Sequence, residues 1–288
     1  MPRDRQRRAI FLTGAAGGIG EALVKDLTQR GYLVFAGVRS NRGSLDELPH
    51  VVTVQVDVTD PGSVADAAKR VSRHPTAAGG LHAVINNAGV IVQGPLELVP
   101  PAELQRQFEV NTFGPTYVTQ AFLPLLRLGG GRVVNVGAST ARTPLPLMAP
   151  ISASKAALAA LSDAQRLELA AWNIPVVLVE PGATETPIFA SAEAAAKSAT
   201  DSADPHRVAL YANHLAAFAK MMAKQKNGPV HRVVKTIVTA VEVRNPKRRY
   251  VTGSDAHVLV TLSRLPASLR ERLIASNFGL DKVTPGAA

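Results

Sequence analysis

Ala9-Ile10-Phe11-Leu12-Thr13-Gly14-Ala15-Ala16-Gly17-Gly18-Ile19-Gly20 is the stretch that decides the fold. A short apolar run leads directly into a glycine-rich turn, and helix-forming residues follow at once. In a strand–turn–helix unit of this kind, glycines let backbone N–H groups approach a pyrophosphate, and the helix N-terminus favours an anion. Outward from it, β-rich runs alternate with longer amphipathic stretches, the pattern of βαβ units and a parallel sheet. Strands are predicted at Ala9 to Leu12, Leu33 to Val38, Val51 to Val56, Ala83 to Asn86, Arg132 to Val136 and Val176 to Glu180, with a seventh at Arg249 to Thr252. The runs VVTVQV and PVVLVE are almost wholly apolar or β-branched, as strands covered on both faces by helices require.

Composition agrees with one globular domain, and the alternating strand and helix pattern with its glycine turn makes that domain α/β of the Rossmann type. The 288 residues are 46% hydrophobic and 19% charged, enough to bury a sizeable core. Residues 1–8 read as a basic tail, 187–229 as a helical insertion covering the substrate, and 253–288 as a C-terminal helical extension. Within the extension, Leu265, Leu269 and Leu273 recur at helical spacing and predict a face that packs back on the domain with no part in specificity. The net charge of +10 is unfocused. Arg3, Arg5, Arg7 and Arg8 form one cluster and Lys247 to Arg249 another, and aromatic residues are only 5%, so nucleic acid is not an expected partner. No apolar run is long enough to span a bilayer, and the chain passes from charges straight into a strand, so neither a membrane partner nor a signal peptide is expected. Cysteine is absent. That removes disulfides and thiolate metal sites and fits a cytoplasmic location.

Further motifs lie where predicted strands end. Asp57 and Val58 follow the third, Asn86-Asn87-Ala88-Gly89 closes the fourth, and Pro181-Gly182-Ala183-Thr184-Glu185-Thr186 follows the sixth. In order and spacing these elements resemble the short-chain dehydrogenase/reductase family over essentially the whole chain. The resemblance implies an oxidoreductase in which Gly14, Ala16, Gly18, Ile19 and Gly20 cradle the cofactor phosphates and Asp57 and Val58 meet the adenine. It also implies that Asn87, Ala88 and Gly89 support the central sheet and cofactor, that Thr186 meets the carboxamide, and that Pro181, Gly182 and Thr184 belong to the same cofactor site. Members commonly pair as homodimers or homotetramers. Gly37-Val38-Arg39-Ser40-Asn41-Arg42 ends the second strand with arginines and no acid. A guanidinium there can pair with a 2′-phosphate, which favours NADP(H) over NAD(H).

The same resemblance exposes a departure. Family enzymes use a tyrosine to pass a proton to the substrate oxygen, a lysine four residues later that lowers the tyrosine pKa and binds the nicotinamide ribose, a serine thirteen residues before the tyrosine, and an asparagine in the preceding helix. Aligning Ile151-Ser152-Ala153-Ser154-Lys155 on this pattern puts Lys155 at the lysine, Ile151 at the tyrosine, Ala138 at the serine and Asn111 at the asparagine. Isoleucine transfers no proton and alanine stabilises no oxyanion. Ser139 stands beside the empty serine position, and Tyr211 in the insertion, flanked by His206 and His214, is a second candidate proton source. With Pro144, Leu145, Pro146, Leu147 and Met148 leading in, an apolar small molecule is the expected substrate or ligand. Three readings stay open: atypical redox chemistry, a non-redox cyclisation, isomerisation or elimination, and a catalytically silent binding protein.

Overall fold

The computed structural model describes residues 8–40 and 43–284. Arg3, Arg5, Arg7, Asn41 and Arg42 lie outside the described residues. Seven parallel strands form one sheet: β1 (Ala9–Thr13), β2 (Leu33–Val38), β3 (Val51–Gln55), β4 (Ala83–Asn86), β5 (Arg132–Val136), β6 (Val176–Pro181) and β7 (Arg249–Thr252), ordered β3-β2-β1-β4-β5-β6-β7. All seven stand where the sequence places them, to within one residue at either end. The order reverses between β1 and β4, which opens a crevice at the carboxyl ends of the strands, the usual ligand edge of an open α/β sheet.

The helices are α1 (Gly18–Gln29), α2 (Pro61–Ser72), α3 (Pro101–Phe108), α4 (Gly114–Gly129), α5 (Ala149–Glu168), α6 (Ile188–Ser202), α7 (Pro205–Leu210), α8 (Ala212–Met222), α9 (Val230–Glu242), α10 (Ser254–Leu262) and α11 (Ala267–Phe278). Period-two alternation divides the core. Ile10 and Leu12 of β1 face the layer of α1 and α9, whereas Ala9 and Phe11 face the layer of α2 and α4. Phe11 stacks on Phe122 of α4 with ring centroids 4.0 Å apart. In α9, Val233, Val234, Ile237, Val238 and Val241 are buried at helical spacing, which fixes it on the sheet.

Between α3 and α4, residues Glu109–Phe113 form one π-helical turn, a distortion that often accompanies functional sites. The C-terminal extension departs from the sequence pattern. In α11 the buried residues are Ile274 and Phe278, and Phe278 stacks on Phe218 of α8, while Leu269 and Leu273 remain 42% and 44% exposed. Packing against α8 therefore selected a face one position away from the leucine stripe.

Candidate active site

Close backbone approach builds the turn at the end of β1. Gly14 has φ 64°, and a Cβ there would lie 2.8 Å from the Ala88 Cα. The Ala15 N–H donates to the Gly37 carbonyl at 3.0 Å, tying the turn to β2, and the Gly17 N–H donates to the Gly14 carbonyl at 3.1 Å. From β4, the Asn87 Nδ2 donates to the Thr13 and Gly14 carbonyls, each at 3.1 Å. Among the described residues no side chain caps the start of α1, so its first N–H groups remain available at the positive end of the helix. The turn thus fits a dinucleotide pyrophosphate.

Other candidate cofactor residues are placed as follows. Ala16, Gly18 and Ile19 lie in the turn and the first residues of α1, Ile19 on the wall of a cavity beside it. Arg39 is exposed just past β2. The Asp57 Oδ1 accepts from the Thr59 N–H and hydroxyl at 2.9 and 2.7 Å, and Val58 is buried in the α2–α4 core. Asp255 fixes the segment after β6: its Oδ2 accepts from the Ala183 N–H at 2.7 Å, and it packs so closely that a Cβ on Gly182 would run into its carboxylate.

That cavity, about 440 Å³, opens from the sheet edge and lies within the range of roughly 300–1,000 Å³ common for small-molecule sites. Asn87, Gly89, Pro181, Gly182, Thr184 and Thr186 form its cofactor side. Val136, Ala138, Met148, Ile151 and Lys155 form its floor, and Ile188, Phe189, Met221, Met222 and Phe278 cover it. The insertion therefore supplies walls of the cavity, and the C-terminal extension does too, contrary to the expectation that it only packs. Leu147, which enters α5, has φ 59°, a left-handed backbone costing a leucine about 1–2 kcal/mol; it packs beside Met148 and Ile151.

Lys155 is the charged group on the floor. It is 7% exposed, its Nζ donates to the Val136 carbonyl at 2.7 Å, and burial pulls its pKa down to about 8. Ile151 lies one helical turn before it on the same face, 5% exposed. Ala138 is extended, with φ −158° and ψ 152°.

Two other candidates lie away from the cavity wall. Asn111, in the π-helical turn, is fully buried; its Oδ1 accepts from the Val90 N–H and its Nδ2 donates to the Val90 carbonyl, both at 2.9 Å. Both ends of the amide hold the 89–92 segment that borders the cavity. Tyr211 is on the far side of the insertion, where its hydroxyl donates to Glu97 at 2.8 Å and Arg207 pairs with the same carboxylate. His206 and His214 do not line the cavity either. Sequence reasoning missed Asp255 and Gln107, whose amide bridges Val90, Val92 and Ser154. Neither lies in a recognisable motif, and only the folded contacts reveal them.

A glycine turn at the sheet switch point, a buried lysine on the α5 face and an apolar cavity between them define a nucleotide-associated dehydrogenase scaffold. The chain belongs to the short chain dehydrogenase family, whose model matches residues 8–197. It is similar to estradiol 17-beta-dehydrogenase 2 of Mus musculus, 34% identical over 96% of this chain and 76% of that protein. It is also similar to retinol dehydrogenase 5 of Homo sapiens, 35% identical over 94% of this chain and 91% of that one. Among solved structures, a short chain dehydrogenase from Burkholderia cenocepacia J2315 in complex with NADP superposes with a TM-score of 0.71 at 29% identity, covering 93% of this chain and 97% of that one.

Proposed function

We propose that this protein is an NADP(H)-dependent oxidoreductase that reduces or oxidises a bulky apolar ketone or alcohol without the family's tyrosine–serine pair. The observation that carries the reading is Lys155, a buried ammonium on the floor of an apolar cavity whose neighbouring wall is Ile151 and Ala138. Estradiol and retinol, in the names of two relatives, are alcohols with large apolar bodies, the shape this cavity suits. The bound complex of the Burkholderia cenocepacia relative and the position of Arg39 support NADP(H).

When bound, the nicotinamide supplies or accepts the hydride. The glycine turn and Asn87 hold the phosphate side, and the segment 181–186, pinned by Asp255, holds the carboxamide side. In the reductive direction the carbonyl oxygen takes a proton, and Lys155 is the titratable group on the cavity floor that can give one. Its pKa of about 8 lies near neutral operating pH, where a general acid works best. Neither Tyr211 nor the histidines of the insertion reach the cavity wall. Losing one general acid costs about a hundred to ten-thousandfold in rate, so turnover is expected to be slow.

The test is NADPH oxidation with a panel of bulky apolar ketones, following labelled hydride into the product. Product without transferred label sinks the redox reading. It would favour instead a cyclase, isomerase or lyase, which the same Ile151 and Ala138 pair also suits. Ile151→Tyr with Ala138→Ser is expected to raise reductase activity at least a hundredfold, the lower end of what one general acid contributes. We further propose that two copies pair across α4 and α5, whose outer surfaces expose Leu128 and Leu167, with Trp172 exposed on the short turn that follows α5. Light scattering at the mass of a single chain would refute the pairing.

A further inference from the structure

Ala138 leaves the cavity without a hydroxyl at one position, but the two residues after it carry hydroxyls. Ser139 and Thr140 both line the cavity. Ser139 is buried, and no hydrogen bond joins its hydroxyl to another described residue. The Thr140 Oγ1 is also buried without a partner. Buried hydroxyls in folded proteins are nearly always paired, so the Thr140 hydroxyl, which has no partner among the described residues, calls for one from outside the chain, and the adjacent Ser139 hydroxyl on the same cavity wall is free to share it.

The remaining polar groups on the cofactor side are already engaged within the protein. Asn87 holds the glycine turn, the Thr184 hydroxyl donates to the Gly182 carbonyl at 3.1 Å, the Thr186 hydroxyl donates to the Thr184 carbonyl, and Asp255 accepts from Ala183. Gln225 and Asn277 belong to the covering segments, on the side away from the floor. Ser139 and Thr140 sit instead on a short helical turn that follows β5 directly. That turn is fixed by the Arg142 N–H on the Ser139 carbonyl at 3.1 Å, by Arg142 paired with buried Glu180, and by the Thr143 hydroxyl on the Leu259 carbonyl at 2.8 Å. A single χ1 rotation exchanges the hydroxyl and methyl of threonine, and here it breaks no existing hydrogen bond.

We infer that the hydroxyls of Ser139 and Thr140 together anchor the oxygen of a bulky apolar ketone or alcohol, the task Ala138 cannot perform. This rests on the reading of the cavity as the substrate site. It makes the cavity discriminate for an oxygen on an otherwise apolar ligand, because a hydrocarbon leaves both hydroxyls unpaired.

Cyclododecanone and cyclododecane, compared by equilibrium dialysis in the presence of NADP, test the anchor without requiring turnover. The wild-type protein is expected to bind the ketone about tenfold more tightly than the hydrocarbon, the size of one good hydrogen bond. Ser139→Ala with Thr140→Val should abolish that preference and leave hydrocarbon affinity and the unfolding midpoint unchanged. Thr140→Ser alone should retain the preference. A preference that survives in the double variant overturns the inference, as does a wild type that binds the ketone no better than the hydrocarbon or not at all. Equal loss of both ligands in the double variant would mean the cavity had collapsed. The single Thr140→Val, which preserves side-chain shape, then decides: an unchanged preference overturns the anchor. A wild type that discriminates yet never oxidises NADPH removes the oxidoreductase reading and leaves the anchor standing.

Discussion

Replacing Lys155 with methionine is expected to change stability in a way that depends on pH, and the sign follows from burial. In the unfolded chain the lysine titrates near 10.5, whereas in the fold its pKa is pulled down to about 8 by desolvation, with no carboxylate to offset it. Below about pH 8 both states carry the proton, and the folded state bears the full cost of the buried ammonium. Between about 8 and 10.5 the unfolded state binds more protons, so stability rises with pH across that window. At about 1.4 kcal/mol for each pH unit of displacement, the cost is on the order of 3 kcal/mol. Methionine fills similar volume without the charge. It also removes the hydrogen bond to the Val136 carbonyl, but the neutral amine keeps that bond at high pH, so the loss is nearly the same at both ends of the titration. The measurement is urea unfolding of cofactor-free wild type and Lys155→Met at pH 7 and pH 10.5. Between these pH values the wild type should gain about 3 kcal/mol on the variant. Equal pH dependence in the two proteins would refute the argument that Lys155 is buried as a charged group. The same substitution should remove any reductase activity, and wild-type activity in the reductive direction should decline above about pH 8 as Lys155 loses its proton.

Three further outcomes follow from other sites. Burial, with the charges of Arg8 and Arg132, lowers His82 to about pKa 4, so the unfolded state takes up the extra proton as pH falls below 6.5. Wild type should lose up to about 2 kcal/mol from this source between pH 6.5 and 4.5, and His82→Phe, which keeps the stacking on Tyr32, should not; parallel urea titrations would refute this. Glu180 is 0% exposed and pairs with both Arg142 and Arg249. Glu180→Gln leaves Arg142 without its countercharge while Arg249 keeps Asp163, and since Arg142 is 27% exposed the loss should fall at the low end of about 3–5 kcal/mol; a loss under about 1 kcal/mol in urea unfolding would contradict it. Gly14→Ala forces a side chain into a left-handed backbone against the Ala88 Cα, costing roughly 1–2 kcal/mol from the backbone alone, and should weaken NADPH binding at least tenfold by fluorescence titration. Unchanged affinity would separate the turn from the cofactor site.

The sequence alone determined the sheet. Each strand is a local run of β-branched residues bounded by turn signals, and the strand–turn–helix glycine pattern needs only neighbours along the chain, so both were legible before folding. The spacing of Ile151 and Lys155 was equally readable, because residues four apart share a helix face. Tertiary structure decided what the other side chains do. Asn111 stands at a family site position by its sequence, and the fold adds that the π-helical turn aims its amide at the Val90 main chain. Tyr211 looked like a lid residue, but it is bound to Glu97 on the outside of the insertion. The leucine stripe of the C-terminal extension yields to Ile274 and Phe278, because α8 presents Phe218 to that face, and the turn around Phe278 then lines the cavity. Asp255 reaches Gly182 across 73 residues of chain. The partners of these groups are set by long-range packing, which no local pattern records; whether Ser139 and Thr140 face an empty space or a neighbour is likewise a property of the assembled cavity.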